Sequence, residues 1–289
     1  MTFSLPGPRD SYRGLAQAVK GPLRRLRSDY RQLTAGLRGL PGLVIIGAQK
    51  GGTTSLFNYL VQHPDVRPPL TKEIHFFELN YQRGEAWYRG RFPFRRQLRD
   101  GVLTLDASPY YLAHPLVPPR AARLLPDARL VALLRNPIDR ALSHYEHEVR
   151  GGRESLPFAE AIAREPERLA GEEERLANDP GYYSYAHHRY SYLRRGVYVD
   201  QLQRWAEHFP RSQMLILQSE TLFRHPHEVT GRVLEFLGLR PFRLPRYDRY
   251  YPGAYDRDLP SGLRRTLADY FAPHNQALYR WLGEEYDWT

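Results

Sequence analysis

The chain has 289 residues, of which 42% are hydrophobic, enough for one large domain or two small ones with a substantial core. Its 42 Lys and Arg residues against 32 Asp and Glu residues give a formal charge of +10, so an anionic ligand or surface is the expected partner. Because the sequence contains no cysteine, disulfide scaffolds, thiolate metal sites and cysteine nucleophiles are excluded.

Residues 1–40 form a basic segment in which Arg, Pro or Gly interrupts every apolar stretch. We find neither a signal-peptide core nor a run of about 18 apolar residues, so we expect a soluble, cytoplasmic protein. Between residues 23 and 37, apolar residues recur near the helical period beside several arginines. This pattern predicts an amphipathic arm that packs on the domain, with peripheral contact to a membrane or nucleic acid as the alternative.

From Pro41 onward, short apolar runs alternate with helical patterns. Buried strands are predicted for four runs, LVIIG (43–47), VLTLD (102–106), RLVALLR (129–135) and QMLILQ (213–218). Residues 53–63 predict a helix directly after the first strand. Because such alternation favours a parallel sheet with helical crossovers, we predict an α/β fold with a P-loop-like central parallel sheet flanked by helices.

Residues 153–195 differ in composition from the rest of the chain, because they are charged and rich in tyrosine. This composition suits a helical insertion better than a central strand. We predict that the insertion acts as a lid or as a substrate-binding lobe, and a merely solvated face is the alternative.

The first strand is followed by a glycine-rich loop, GAQKGGTTS (47–55). Glycines let successive backbone N–H groups point inward, and the next helix adds partial positive charge, so the loop is expected to bind an anion such as phosphate. The spacing is close to that of a P-loop, but the lysine lies inside the loop, at Lys50. A Mg²⁺-dependent kinase or NTPase, with Asp106 as its metal partner, is therefore the second choice, and a purely structural turn is the third.

Further motifs follow in the order HPDV (63–66), KEIHFFE (72–78), ASPYY (107–111), RNPIDRALSHYEH (135–147) and GVYVDQLQRWAEHFP (196–210). Together with the loop, they resemble the heparan-sulfate-type sulfotransferases, which use 3′-phosphoadenosine 5′-phosphosulfate (PAPS). The resemblance runs from about Leu43 to the C-terminus. It implies a single sulfotransferase domain over residues 41–289, PAPS as the co-substrate and no metal.

The resemblance also implies a nucleotide site in two parts. The 5′-phosphosulfate would be bound by Lys50, Gly51, Gly52, Thr53, Thr54 and Ser55. The 3′-phosphate would be bound by Arg135, at the end of a strand, and by Ser143, two turns along the next helix. Taken alone, Arg135 is more simply a surface ion-pair residue and Ser143 a solvent-facing helix serine.

Within KEIHFFE, the resemblance implies that Glu73 is the general base and that His75 and Glu78 are accompanying polar residues. If the segment is extended, Glu73 and His75 share one face and Lys72 points the opposite way. In the implied reaction, Glu73 takes the acceptor's proton while Lys50 neutralises the leaving oxygen. Without the resemblance, an exposed surface strand is the simpler interpretation.

The sequence gives less information about the acceptor of the sulfuryl group. Positive charge suits an anionic carbohydrate, and the tyrosines of 182–192 with Trp87 and Tyr88 are candidates for stacking on sugar rings. Where heparan-type enzymes have a second lysine, this chain has Ala107, so either Lys50 and the loop amides suffice or an arginine reaches in from elsewhere. A non-enzymatic nucleic-acid-binding protein is the remaining alternative; only the arginine excess supports it, and we expect no nucleic-acid partner.

Overall fold

The computed structural model describes residues 26–250 and 259–288. The strands in these ranges are β1 (Leu43–Gly47), β2 (Val66–Arg67), β3 (Leu103–Ala107), β4 (Arg129–Leu134) and β5 (Met214–Gln218). Within the described ranges they form one sheet in the order β2-β3-β1-β4-β5, and each neighbouring pair is parallel. The predicted α/β fold with a central parallel sheet is confirmed.

Helices connect the strands and flank the sheet. They are α1 (Thr53–Leu60), α2 (Phe76–Leu79), α3 (Gly84–Arg89), α4 (Val117–Leu124), α5 (Pro137–Arg150), α6 (Phe158–Ala163), α7 (Glu165–Leu169), α8 (Glu172–Asn178), α9 (Tyr185–Arg189), α10 (Tyr198–Ala206), α11 (Ser219–Arg224), α12 (Pro226–Phe236) and α13 (Ser261–Leu282). Short 3₁₀ helices lie at Ala35–Leu37, Tyr81–Arg83, Arg95–Gln97, Arg194–Gly196 and Arg211–Gln213. Residues 26–33 are also helical.

The strand β1 explains why the sheet could be predicted from apolar runs. All five of its residues are buried, because neighbouring side chains enter hydrophobic clusters on opposite faces of the sheet. The four predicted strands match the observed ones to within a residue at each end. The sequence analysis missed β2, whose two residues, buried Val66 and exposed Arg67, are too few to form a pattern.

The order of the strands determines where a ligand can bind. The central strand β1 has β3 on one side and β4 on the other, and the chain builds the β3 side before it crosses to β4. In open parallel sheets, ligands bind at the carboxyl ends of the strands, at the point where the chain passes from one side of the first strand to the other. The loops that follow β1, β3 and β4 are therefore the expected walls of a site.

The predicted insertion at 153–195 is helical, since it contains α6 to α9. Its role as a lid or lobe stays a prediction. Of the aromatic residues considered for stacking on sugars, Tyr88 and Tyr192 are fully buried, so that interpretation is wrong for them. Tyr183 and Tyr185 are exposed by 46% and 45% and remain candidates.

The predicted N-terminal arm is only partly described, because residues 1–25 lie outside the described ranges. In the described part, Leu26 and Leu33 are exposed, whereas Arg31 donates hydrogen bonds to the backbone oxygens of Gly90 and Phe92. Here Leu26 and Leu33 of the predicted amphipathic stretch stay exposed, and Arg31 and Arg38 make hydrogen bonds to the domain. None of the helices in the described ranges is long and apolar enough to cross a membrane.

Candidate active site

The loop after β1 packs closely against the neighbouring strand β4. The N–H of Ala48 donates to the carbonyl of Leu133 at 2.8 Å, and a Cβ atom added to Gly51 would lie 2.3 Å from that same carbonyl oxygen. Gly52 has a φ of 91°, a conformation that side chains other than glycine's disfavour. Close approach therefore requires glycine at position 51, and backbone conformation favours it at position 52.

The start of α1 offers unpaired backbone donors. Gly52 is the N-cap residue, and no side chain in the described part of the chain caps the helix. The first N–H groups of a helix have no partner within it, so those of Thr53 and Thr54 are available to an anion, which the helix dipole also favours. Ser55 is buried, and its hydroxyl accepts a hydrogen bond from the N–H of Tyr250 at 3.2 Å.

The variant Gly51→Ala tests the close approach of loop and strand. The new methyl group would meet a backbone oxygen that no rotamer change can move, so we expect a loss of about 1–3 kcal/mol in unfolding free energy and weaker nucleotide binding. Urea denaturation and calorimetry measure the two effects. The control is Gly231→Ala in α12, where nothing lies within 4 Å of the new atom and stability should be kept or raised. Equal stability of both variants would contradict the argument.

Lys50 is the cation of this loop. The pKa of Lys50 is lowered to about 8, mainly by burial and also by the charge of Arg150, against the opposing effect of the carboxylates of Glu148 and Glu73. The ammonium group is therefore mostly protonated at neutral pH but close to its titration range. Because the charge of Glu73 acts on Lys50, the two predicted catalytic groups belong to one electrostatic environment.

Arg135 and Ser143 lie where a strand passes into a helix. Arg135 directly follows β4, and its Nη1 lies 3.4 Å from the carbonyl oxygen of Lys50. The carbonyl oxygen of Arg135 accepts a hydrogen bond from the hydroxyl of Tyr198 at 2.8 Å. Ser143 lies on α5 and is only 3% exposed, so the alternative of a solvent-facing serine is wrong. The structure thus brings Arg135 to the loop, as a divided phosphate site would require.

The segment 72–78 is not the extended strand that the sequence analysis considered. Glu73 and His75 have φ values of 58° and 52°, in the left-handed region, and α2 begins at the next residue. The side chains between and after them, Ile74 and Phe76, are buried. The alternate residues are therefore buried as they would be in a strand, but two residues with left-handed backbone bend the segment.

Hydrogen bonds to the end of β3 hold this segment at the edge of the sheet. The N–H of Glu73 donates to the carbonyl of Ala107 at 3.2 Å, and the N–H of His75 donates to the hydroxyl of Ser108 at 3.1 Å. Because β3 lies next to β1, these bonds place the segment beside the loop that carries Lys50. The predicted base and the predicted cation are therefore at the same edge of the sheet.

Asp106 supports the same segment through Ser108, which hydrogen-bonds to both Asp106 and His75. Its fully buried carboxylate accepts hydrogen bonds from Ser108 at 3.1 Å, from Tyr111 at 2.8 Å and from Tyr88 at 3.0 Å. These bonds occupy both oxygens, so the structure gives Asp106 a positioning role in place of the magnesium role considered from the sequence. Within the described ranges, no three His, Asp or Glu side chains are grouped so that they could hold a metal ion.

Four ionisable side chains of the segment contact one another. Lys72 Nζ lies 2.5 Å from Glu73 Oε1, so Lys72 does not point away from Glu73 as it would in an extended strand. The left-handed conformation of Glu73 is the reason, because it ends the alternation expected of a strand. His75 Nε2 lies 3.5 Å from Glu73 Oε2, and His75 Nδ1 lies 2.5 Å from Glu78 Oε1. Glu73 and His75 are thus in contact, although on a different backbone from the extended one considered, and their catalytic roles stay predictions.

These contacts set the protonation states of the pair. The hydrogen bond with His75 lowers the pKa of Glu73 to about 2, against the effect of burial and with the help of Lys72. Burial alone would lower the pKa of His75, but hydrogen bonds to Glu73 and Glu78 raise it to about 10. At neutral pH the carboxylate is ionised and the imidazole is protonated. The Glu73 side chain is 43% exposed, so it is accessible to an acceptor.

The sequence analysis missed Arg195, a buried residue at the end of the insertion. Its Nη1 donates to the side-chain oxygen of Gln49 at 2.6 Å, and its Nη2 donates to the carbonyl oxygens of His187 and His188 at 2.8 and 2.9 Å. Its guanidinium group also lies 4.3 Å from the ring centroid of Tyr110. Arg195 is thus an arginine from a distant segment that contacts the loop after β1. In the sequence, only its position directly before the motif at 196–210 signalled it.

Comparisons with known proteins agree with this geometry. The family model described as "Sulfotransferase domain" matches residues 40–249. The human protein "Heparan sulfate glucosamine 3-O-sulfotransferase 6" is 31% identical over 276 residues, which cover 88% of this chain and 75% of that protein. The "Bifunctional heparan sulfate N-deacetylase/N-sulfotransferase 1" of Caenorhabditis elegans is 30% identical over 272 residues, which cover 85% of this chain and 30% of that protein.

A solved structure gives the same result. The crystal structure of a sulfotransferase from Alicyclobacillus acidocaldarius matches with a TM-score of 0.67 and 29% identity, over 86% of this chain and 98% of that one. The family match covers most of the chain, and it includes the loop, the segment with Glu73 and the entry to α5. The chain therefore belongs to the sulfotransferase domain family and is a sulfotransferase of the heparan-sulfate type.

Proposed function

We propose that this enzyme transfers the sulfuryl group of PAPS to a hydroxyl or amine of an anionic carbohydrate. The observation that carries the proposal is the meeting of three groups at one edge of the sheet. Lys50 follows β1, Arg135 follows β4, and Glu73 is bonded to the end of β3. A nucleotide held by the first two groups would present its sulfuryl group to an acceptor held near the third.

The donor side of this site has the features that phosphate recognition needs. The uncapped N-terminus of α1 and the ammonium of Lys50 would bind the 5′-phosphosulfate, and Gly51 and Gly52 let the backbone approach it. Arg135 and Ser143 would bind the 3′-phosphate. Assigning these residues to PAPS follows the resemblance to the heparan-type enzymes and is supported by their placement around one loop.

The proposed reaction is an in-line displacement at sulfur. Glu73 takes the proton of the acceptor as its oxygen or nitrogen bonds to sulfur, and the bond from sulfur to the bridging phosphate oxygen breaks. The electron pair leaves with adenosine 3′,5′-bisphosphate, and Lys50 and the loop N–H groups neutralise its new charge. We assign no role to a metal, because a sulfuryl group carries less charge than a γ-phosphoryl group and demands less neutralisation.

An anionic carbohydrate is the proposed acceptor class for two reasons. Relatives named for heparan sulfate cover most of the chain, and the chain has a formal charge of +10. Exposed Tyr183 and Tyr185 are aromatic surfaces on the insertion that suit stacking on sugar rings. A cytoplasmic location and the lack of a nucleic-acid partner stay predictions.

Calorimetry with three ligands tests the proposal against its alternatives. We expect adenosine 3′,5′-bisphosphate to bind without added metal and to outcompete ATP with Mg²⁺. Preference for ATP with Mg²⁺ would favour a kinase or NTPase. Salt-dependent retention of DNA without binding of either nucleotide would favour a nucleic-acid-binding protein.

The variant Arg135→Ala tests the divided phosphate site. Loss of a charge-assisted contact should weaken binding of adenosine 3′,5′-bisphosphate by up to about a hundredfold, and binding of 5′-AMP should change far less. Titration calorimetry with both ligands measures the difference. Arg129→Ala, at the opposite end of β4, is the matched control and should affect neither. Equal losses for the two ligands would mean that Arg135 shapes the loop instead of binding the 3′-phosphate.

A further inference from the structure

A cavity of about 280 Å³ lies outside the proposed nucleotide site. It is bounded by the helical residues 26–33, by α3 with the turn that follows it, and by the segment before Lys72. The lining residues that matter here are Arg27, Arg31, Gln32, Leu70, Trp87 and Arg91, and we refer to their enclosure as the arginine cavity.

The arginine cavity carries positive charge that is not neutralised locally. No acidic residue lines it, and in the described ranges Arg27, Arg31 and Arg91 form no ion pair with a carboxylate. The pKa of Arg31 is lowered to about 10, mainly by burial and also by the charges of Arg38, Arg27 and Arg91. Like charges held this close are relieved by an anion between them.

The cavity also contains buried donors that lack an acceptor. The indole of Trp87 is only 7% exposed, and neither its Nε1 nor the buried Nε of Arg91 has a hydrogen-bond partner in the described part of the chain. The guanidinium of Arg91 lies 4.0 Å from the Trp87 ring centroid, so packing fixes both groups. Buried polar groups without partners are rare and costly, so two of them beside one cavity point to a missing acceptor.

The cavity lies next to the segment that carries the proposed base. The N–H of Leu70 donates to the carbonyl of Arg91 at 2.7 Å, which joins the cavity wall to the segment before Glu73. Glu73 lies three positions after Leu70 in the chain, and three residue steps span at most about 11 Å. A polymer whose reacting unit lies at Glu73 therefore has a neighbouring unit within reach of the cavity.

We propose that the arginine cavity binds a sulfate or carboxylate group of the acceptor chain, on a unit next to the one that reacts. This subsite rests on the proposed function, because it assumes that an acceptor is held at Glu73. It makes the enzyme selective for acceptors that already carry negative charge. Arg27 and Arg91 supply the charge, and the indole Nε1 of Trp87 supplies a neutral donor.

Titration calorimetry of a heparin octasaccharide against the full chain tests the subsite. The double variant Arg27→Ala, Arg91→Gln should bind the octasaccharide about tenfold to a hundredfold more weakly than the unmodified protein. The matched control is Arg123→Ala, Arg265→Gln, which removes two exposed arginines from α4 and α13 and should keep the affinity. Adenosine 3′,5′-bisphosphate should bind all three proteins equally.

Each other outcome has a defined meaning. Equal octasaccharide affinity in both double variants overturns the subsite, as does equal affinity of the unmodified protein for sulfated and unsulfated octasaccharides. If the Arg27→Ala, Arg91→Gln variant loses binding to phosphatidylserine vesicles but keeps full octasaccharide affinity, the cavity binds a membrane surface instead. If the first variant fails to fold, Arg27→Ala alone, at an exposed position, must show the loss. Failure of the unmodified protein to bind adenosine 3′,5′-bisphosphate would instead refute the proposed function.

Discussion

Replacing Lys50 with alanine is expected to lower kcat for sulfuryl transfer by about 10²–10³ and to weaken nucleotide binding, while the protein stays folded. The ammonium group is the cation of the loop and is proposed to neutralise the departing oxygen, a role whose loss costs about 10²–10³ in kcat. A coupled assay of adenosine 3′,5′-bisphosphate release measures turnover, and calorimetry measures affinity. Unchanged turnover would remove the loop from the mechanism.

The pKa of Lys50 adds a dependence on pH that the alanine variant should lack. In the free protein this pKa is about 8, so the charged form disappears as the pH rises through that value. A bound phosphosulfate favours the charged form, so its binding raises the pKa and takes up protons near pH 8. Nucleotide affinity should therefore fall above pH 8 in the unmodified protein. Lys50→Arg is the control, since its charge persists and its affinity should stay constant.

The parts of the fold that could be predicted from the sequence are those set by local patterns. The four longer strands are continuous apolar runs because the central sheet is covered on both faces. The loop could be predicted because two consecutive glycines and a lysine stand directly between a buried strand and a helix, although the close approach that requires Gly51 is to Leu133 of the distant strand β4. Each of these signals lies within a few residues of the feature that it specifies.

The parts that the sequence did not reveal depend on contacts between distant segments. Glu73 and His75 adopt left-handed conformations because their N–H groups bond to Ala107 and Ser108, more than thirty residues away. Asp106 was considered as a metal partner because the sequence does not show that the hydroxyl groups of nearby Ser108 and Tyr111 and of more distant Tyr88 all turn toward its carboxylate. A pattern of alternating residues predicts a strand in such a segment, and only the tertiary hydrogen bonds reverse that prediction.

The same contacts bear on which group can act as the base. His75 is held between Glu73 and Glu78, and its pKa of about 10 leaves it protonated at neutral pH, so it cannot accept the acceptor's proton in this state. Glu73 is ionised and exposed, as a base must be, but its contacts with Lys72 and His75 reduce its basicity. An acceptor that displaces Lys72 from Glu73 would restore part of that basicity.

We therefore expect Glu73→Gln to lower kcat by about 10²–10⁴ and to leave affinity for adenosine 3′,5′-bisphosphate nearly unchanged, because the amide keeps the shape of the side chain but cannot accept the proton. Turnover is measured with a panel of oligosaccharides, phenols and amines until a substrate is found, and calorimetry gives the affinity. Glu85→Gln, a surface partner of Arg89, is the matched control and should retain full activity. Turnover of Glu73→Gln near the rate of the unmodified enzyme would assign the base to another group, and a collapse of nucleotide binding would place Glu73 in the donor pocket.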